Sequence, residues 1–406
     1  MITSYGQLTY CTNIHGGEAW DQHFESLRLH FPKIKQSVSP MQPMGIGLRL
    51  ADLASTILVQ PERLNEFKDW LAKEGGYVFT MNGFPFGAFH DTRVKEDVHT
   101  PDWTTTERLQ YTKRLFTILT QLLPDGMDGG ISTSPLGYRH LYNHDESRWQ
   151  DMRERSTTHI VEIAIYLHRI WQERGKELHL DIEPEPDGVL ETGPEFIEWF
   201  TQELVPMGVR QFSETFGMTS DEAEETLKRY IRICYDVCHF ALGYEHHRAV
   251  VNDLERHGIK IGKFQISAAL KAHLPEKPAD RATIGAAFQA FDEPTYLHQV
   301  LARQKNGEVN RFKDLPDAQD ALADPDTEEW RSHFHVPIFL EDLGVLQSTQ
   351  TDIREILAIQ QEHPATRHLE VETYTWGVLP HELQLPIADS ISRELRWVLQ
   401  EMEKRS

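Results

Sequence analysis

The chain has 406 residues, with 41 Lys and Arg against 63 Asp and Glu, a formal net charge of −22 at pH 7. Hydrophobic residues make up 39% and charged residues 26%, enough for a large core and too apolar for a disordered chain. The acidic surplus excludes a broad phosphate-backbone interface, which needs clustered Lys and Arg, and argues against an anionic membrane surface.

No run approaches the ~18 apolar residues of a membrane span. The opening residues, Met1 to Gly6, lack the basic and apolar regions of a signal peptide, so a cytoplasmic location is expected. Three cysteines, Cys11, Cys234 and Cys238, exclude a disulfide framework and fit a reducing compartment.

In chain order, eight β-like segments are expected: Gln7–Asn13, Gly45–Ala51, Tyr77–Asn82, Gly129–Ser134, Leu178–Glu183, Ile231–Asp236, Ile261–Ser267 and His368–Thr373. Helical periods lie between most of them. Ile160, Ile163, Ala164, Leu167 and Trp171 form one stripe, and Ile391, Leu395, Val398 and Met402 another. Helix starts are marked at Gln60-Pro61-Glu62 and Thr104-Thr105-Thr106-Glu107. Alternating strands and helices imply a parallel sheet, and eight units imply an α/β protein of the closed (β/α)8 TIM-barrel type. The alternative is an open doubly wound sheet, but no G-x-G-x-x-G follows the first strand.

The expected organisation is one barrel domain over residues 1–406. Extra helices, including Glu195–Leu204 and Ser220–Arg229, fill one long gap, and a lid-like insertion spans 268–367 before the last strand. The middle of that insertion, Asn306–Glu329, is polar and rich in Asp and Pro, and reads as a mobile loop near the mouth.

A TIM barrel builds its active site at the strand C-termini. Here those ends carry Asn13 and His15, then Asn82 with Phe84, then Glu183, then Asp236 with His239, and lastly Glu370 and Glu372. Strand alternation puts His179, Asp181 and Glu183 on one side. A carboxylate facing a barrel interior is costly unless paired or metal-bound. The ion-pair reading for any single Glu names Arg49 or Lys263 as partner. Three strand-end acids, Glu183, Asp236 and Glu372, point instead to a shared divalent ion, with Asp236-x-x-His239 offering oxygen and nitrogen donors. The other reading of that pair is a helix-capping Asp beside a packed His. His333-Phe334-His335 is a second imidazole pair on one side of an extended segment. No G-x-S-x-G elbow is present, and no second cysteine pair exists to build a Cys-rich zinc site.

The segment Ile233-Cys234-Tyr235-Asp236-Val237-Cys238-His239 resembles the D-x-x-H segment of the xylose-isomerase-like TIM barrel superfamily. That resemblance implies metal ligands on strands 5, 6, 7 and 8. They fall here on Glu183, Asp236, Gln265 and Glu372, with Gln265 standing where the superfamily has His and His335 as its substitute. Over nearly the whole chain, Thr9-Tyr10-Cys11-Thr12-Asn13-Ile14-His15, Asn82-Gly83-Phe84-Pro85, Ser132-Thr133-Ser134-Pro135, Glu183-Pro184-Glu185-Pro186 and Glu370-Val371-Glu372-Thr373-Tyr374 resemble the E family of the Ebo operon. Its members are described as metabolite-traffic proteins of secondary metabolism.

The expected function is a divalent-metal-dependent isomerase or epimerase acting on a sugar, cyclitol or polyol, with Zn, Mn, Mg or Co as the ion. Glu183 and Glu372 would move protons, and Asn13, His15, Asn82, His239 and His333 would hold hydroxyls. Phe84, Phe86 and Trp20 would form an apolar wall or, as easily, ordinary core. The rivals are a phosphoesterase like the endonuclease IV group and a non-catalytic metabolite carrier. Neither nucleic acid nor a membrane is an expected partner; a homodimer is compatible with the sequence.

Overall fold

A computed structural model describes residues 1–89, 94–377, 379, 381 and 384–404. All eight expected strands are present: β1 (Gly6–Tyr10), β2 (Met44–Arg49), β3 (Gly76–Asn82), β4 (Asp128–Thr133), β5 (Glu177–Ile182), β6 (Ile231–Asp236), β7 (Ile261–Ile266) and β8 (His368–Val371). From β2 through to β8 each pairs in parallel with the next, and β8 pairs in parallel with β1. Between β1 and β2 the seam closes through a Cys11–Gly47 bridge and a 2.8 Å hydrogen bond from the Thr9 hydroxyl to the Gly45 carbonyl. A short strand, Ile2–Thr3, adds antiparallel to β1.

The helices bury the stripes their periods require. Within Glu146–Arg174, Ile160, Ile163, Ala164 and Leu167 are fully buried. Trp171 departs from the expected stripe: near the helix end it is 38% exposed and lies under the Arg229 guanidinium. In Ile387–Glu403 all four expected residues are buried. Thr105 caps its helix by accepting from the Arg108 amide, and Pro61 opens another at a position needing no amide donor.

The outward faces of the strands are apolar, and the inward faces carry most of the buried polar groups, with Phe79 an inward ring edge-on to His368. On β5, Leu178, Leu180 and Ile182 pack outward while His179, Asp181 and Glu183 line the interior, all of them buried. Polar groups therefore stack along the barrel axis. At mid-height the Lys263 ammonium pairs with Glu370 and donates to the Ser132 hydroxyl at 3.1 Å. Burial alone would lower that ammonium's pKa, but the Glu370 carboxylate holds it well above its ordinary value. Glu370 is thus accounted for by the ion-pair reading, with Lys263 and not Arg49 as partner. Arg49 instead bonds Glu18 and the Gly87 carbonyl.

The region 268–367 holds a six-stranded antiparallel sheet followed by the barrel helix Gln350–Glu362. Its strands, in spatial order, are Val309–Phe312, Val300–Gln304, Thr327–Ser332, Leu270–His273, Leu346–Ser348 and Asp342–Leu343. The polar stretch 306–329 is therefore built as a hairpin strand and short helical turns, with Leu315, Ala318 and Thr327 fully buried. Its Asp and Pro residues serve turns and a cap: Asp314 Oδ1 accepts from the Leu315 amide where Pro316 opens a short helix.

Candidate metal centre at the barrel mouth

β6 ends at Asp236, which caps the next helix, Val237–Leu242. Its Oδ1 accepts from the amides of Cys238 (2.8 Å) and His239 (3.3 Å) and from the Ser267 hydroxyl (2.6 Å). The helix-capping reading of Asp-x-x-His holds here, with a donor atom left over for the ligand reading. One oxygen caps the helix, while Oδ2 has no hydrogen-bond partner and faces His239 Nε2 at 4.0 Å.

Glu183 follows β5 and Glu372 follows β8. Ligand oxygens of Glu183, Asp236 and Glu372 all lie within 4.8 Å of one another. Gln265, on β7 between them, donates its amide to Glu183 Oε1 at 3.1 Å and to Glu372 Oε2 at 2.5 Å. Asn13 (2.7 Å) and Asn82 (3.1 Å) both donate to Glu372 Oε1. Asp236 also groups with His239 and His335 inside the same 4.8 Å limit, so it stands in two overlapping donor sets.

Three imidazoles share one arrangement. His239 Nδ1 donates to the Pro184 carbonyl (2.9 Å), His335 Nδ1 to the Glu372 carbonyl (3.1 Å) and His333 Nδ1 to Gln299 Oε1 (2.9 Å). An N–H anchored in this way fixes the tautomer and leaves Nε2 as a lone-pair donor, the second-shell arrangement of metal-binding histidines. The Nε2 atoms of His333 and His335 are buried without hydrogen-bond partners, as is Glu183 Oε2. Orphaned acceptors are rare in interiors, and a set of them converging on one space fits a cation.

The electrostatics agree with that fit. Burial, then the charges of Glu372 and Asp236, push the Glu183 carboxyl well above its ordinary range. Burial and Asp236 raise Glu372 to about 8. Burial lowers His335 to about 4 and holds His333 well below the ordinary imidazole value, so both are neutral at pH 7.

Most of these groups line a narrow cavity of about 70 Å³ that opens at the barrel mouth. Asn13, Asn82, Phe84, His239, His333, His335, Glu183 and Glu372 all reach it. One expectation fails, at His15, and for Trp20 and Phe86 the ordinary-core reading holds. His15 accepts or donates at the Tyr10 hydroxyl (3.1 Å) and stacks on His30, because the turn Thr12–Ile14 carries it out toward the first helix, Trp20–Val38. Trp20 packs on Phe24 and Phe67 between helices, and Phe86 packs edge-on to Tyr111. Burying these rings against neighbouring helices outweighs lining a polar mouth. The apolar wall is instead Phe84, Phe89, Tyr296 and Tyr374. Sequence reasoning also missed the His99–Glu185 pair (2.8 Å) and Lys95 on the rim. Glu185 lay within Glu183-Pro184-Glu185-Pro186; His99 had no local signal.

No family model matches the sequence, and no curated protein matches it. Among solved structures, the chain superposes on a xylose isomerase-like TIM barrel protein from Mycobacterium smegmatis in complex with magnesium. The TM-score is 0.52 at 10% identity, covering 99% of each chain. The fold is a (β/α)8 TIM barrel. Fainter likenesses are to the probable 3-DHS dehydratase AsbF of petrobactin synthesis from Bacillus anthracis (TM-score 0.47, 11% identity, 97% of this chain and 98% of that). Another is D-psicose 3-epimerase from Clostridium cellulolyticum H10, solved with D-tagatose (TM-score 0.45, 9% identity, 98% of each). At these identities the likeness is one of fold, and no named homologue supports the finer resemblance to the Ebo-operon E family.

Proposed function

We propose that the barrel mouth binds a divalent ion through Glu183, Asp236 and Glu372, with His239 and His335 beside them, and that the protein isomerises or epimerises a sugar, cyclitol or related polyol. The observation that carries this reading is that Glu183 Oε2, Asp236 Oδ2 and His335 Nε2 are all buried and unpartnered, on residues whose ligand atoms gather within 4.8 Å in two sets sharing Asp236, at the base of a cavity that Glu183 and His335 line. A bound ion would supply Lewis acidity toward a carbonyl and hold two adjacent oxygens. The mixed oxygen and nitrogen donor set suits Mn, Zn or Co better than Mg.

This chain's own residues would do the rest. Gln265 holds Glu183 and Glu372 at a fixed separation through one amide. Two carboxyls flanking one cavity can take a proton from one carbon and return it to the same or a neighbouring one. Asn13 and Asn82 fix the Glu372 carboxylate, and their amides with His333 are placed to meet hydroxyls. Phe84, Phe89 and Tyr374 exclude water from the apolar face of a ring. The insertion supplies His333, His335, Tyr296 and Gln299, so the cavity is walled by it as much as by the barrel.

The test is a titration of chelator-stripped protein with Mn2+ by calorimetry, then an assay of the loaded protein on ketoses, inososes and cyclitols. Binding lost in Asp236→Asn, with turnover of a polyol lost in Glu372→Gln, is the expected outcome. Tight ion binding with no turnover would favour the metabolite-carrier reading, and release of inorganic phosphate from a phosphate ester the hydrolase reading. The family of traffic proteins and a role in secondary-metabolite precursor supply rest on sequence resemblance. Among the described residues no helix is long and apolar enough to cross a membrane.

A further inference from the structure

A second donor set lies at the opposite end of the barrel, where the strands begin. Asp128 opens β4, His179 is the third residue of β5, and His368 opens β8. The strand order sets β8 on the far side of the barrel from β4 and β5. The three side chains therefore meet across the interior and are not neighbours on one sheet edge. Both imidazoles are fully buried.

The contacts are too long for hydrogen bonds and short enough for a shared ion. His368 Nε2 stands 3.6 Å from Asp128 Oδ1, and His179 Nε2 stands 3.8 Å from Asp128 Oδ2. Donors on a tetrahedral ion with bonds of ~2.0–2.2 Å lie about 3.3–3.6 Å apart, so a shift of a few tenths of an ångström closes the shell. His179 Nε2, both nitrogens of His368 and Asp128 Oδ1 are buried with no hydrogen-bond partner. His179 Nδ1 bonds Asp181 Oδ1 at 2.6 Å, the carboxylate–histidine relay that turns Nε2 outward as a ligand. Room for that relay comes from two neighbouring strands. A Cβ at Gly130 would collide with the His179 ring, and one at Gly262 with the Asp181 carboxylate.

We propose that Asp128, His179 and His368 form a zinc-class metal site that ties β4, β5 and β8 together across the barrel floor, separate from the mouth. Asp128 also lines the open cleft of Lys176, Arg232 and Arg367, through which water would supply a fourth ligand. The floor of a TIM barrel serves stability and not chemistry, so the ion's role is structural. Arg232 is the competitor for Asp128, at 3.6 Å from Oδ2. Its other terminal nitrogen is held by Glu177 at 3.3 Å, and Arg367 is 75% exposed and solvent-screened.

The test uses the full chain with the mouth cleared by Glu183→Gln, Asp236→Asn, Glu372→Gln, His333→Gln and His335→Gln together. Stripped of metal and titrated with Zn2+ alone, it should bind one equivalent and melt at a higher temperature for it. Its Co2+ form should show tetrahedral absorption. Adding His368→Gln should remove that equivalent, and adding Asp181→Asn should weaken it ~10–100-fold by freeing the His179 ring. A zinc-edge anomalous map of soaked parent crystals supplies a reading that needs no variant, with a peak expected among Asp128, His179 and His368. No zinc bound by the folded mouth-cleared chain, or an anomalous peak at the mouth alone, would overturn the proposal and leave Arg232–Asp128 as an ordinary ion pair.

Discussion

His335 donates its Nδ1 proton to the main-chain carbonyl of Glu372 at 3.1 Å, so a residue of the insertion is pinned to the end of the last barrel strand. The same bond leaves His335 Nε2 bare in the cavity. It makes the insertion a structural part of the mouth and not a cover laid over it, and it places one imidazole where the strand-7 residue Gln265 cannot supply one.

His335→Gln is expected to weaken Mn2+ binding by roughly tenfold or more while leaving the barrel folded, since the ring is neutral at pH 7 and its loss removes a donor but no charge. Calorimetry and far-UV circular dichroism on the same samples check both halves. Unchanged affinity would mean that the ion is held by the three carboxylates without His335.

Glu372→Gln should have opposite effects on the metal-free and metal-loaded protein. Without an ion, three buried carboxyls repel, and burial together with Asp236 holds Glu372 at about 8. Removing one ionisable group relieves that crowding, so the stripped variant should melt no lower than the parent, while its gain in melting temperature on adding Mn2+ should shrink or vanish. A stripped variant that melts well below the parent would contradict this account of the cluster.

Metal uptake should release protons. Glu372 sits at about 8 without an ion, so at pH 7 it is mostly protonated and must ionise to serve as a ligand. Affinity should therefore rise as pH rises through 7 toward 8, and ionisation of Glu183, also held well above its ordinary range, adds to that rise. His335, lowered to about 4, is already neutral across that window and contributes nothing to the slope. Calorimetry at pH 7 in buffers of different ionisation enthalpy counts the released protons. Glu372→Gln should reduce the count, and a parent releasing none at pH 7 would refute the assignment.

The buried Lys263–Glu370 pair predicts non-additive stability. Lys263→Met alone leaves the Glu370 carboxylate without its ammonium and should cost about 3–5 kcal/mol. Adding Glu370→Gln removes the stranded charge, so the double variant should be more stable than Lys263→Met. Chemical denaturation of the metal-free proteins measures both, and simple additivity would show that the pair is not coupled.

Strand existence was legible because each barrel strand is a short run bounded by turn residues, and all eight fell within three residues of their expected ends. The inward side of β5 was legible too, since a period of two is a local property: His179, Asp181 and Glu183 had to share a face. So was the gathering of Glu183, Asp236 and Glu372 at one end, because closure of parallel strands brings their C-termini to one rim.

What a single strand or turn cannot encode was decided by the tertiary structure. His15 sits in the most distinctive motif of the chain, yet one 3-10 turn swings its ring onto His30 and away from the mouth. His333 and His335 looked like a chance pair until the insertion's sheet carried them back over the barrel. His179 and His368 lie nearly 190 positions apart, and nothing local marks them as partners. Periodicity fixes which side of its own element a residue faces. Which residues then meet across a closed barrel depends on non-local pairing, register and the glycines that make room, and those exist only once the chain has folded.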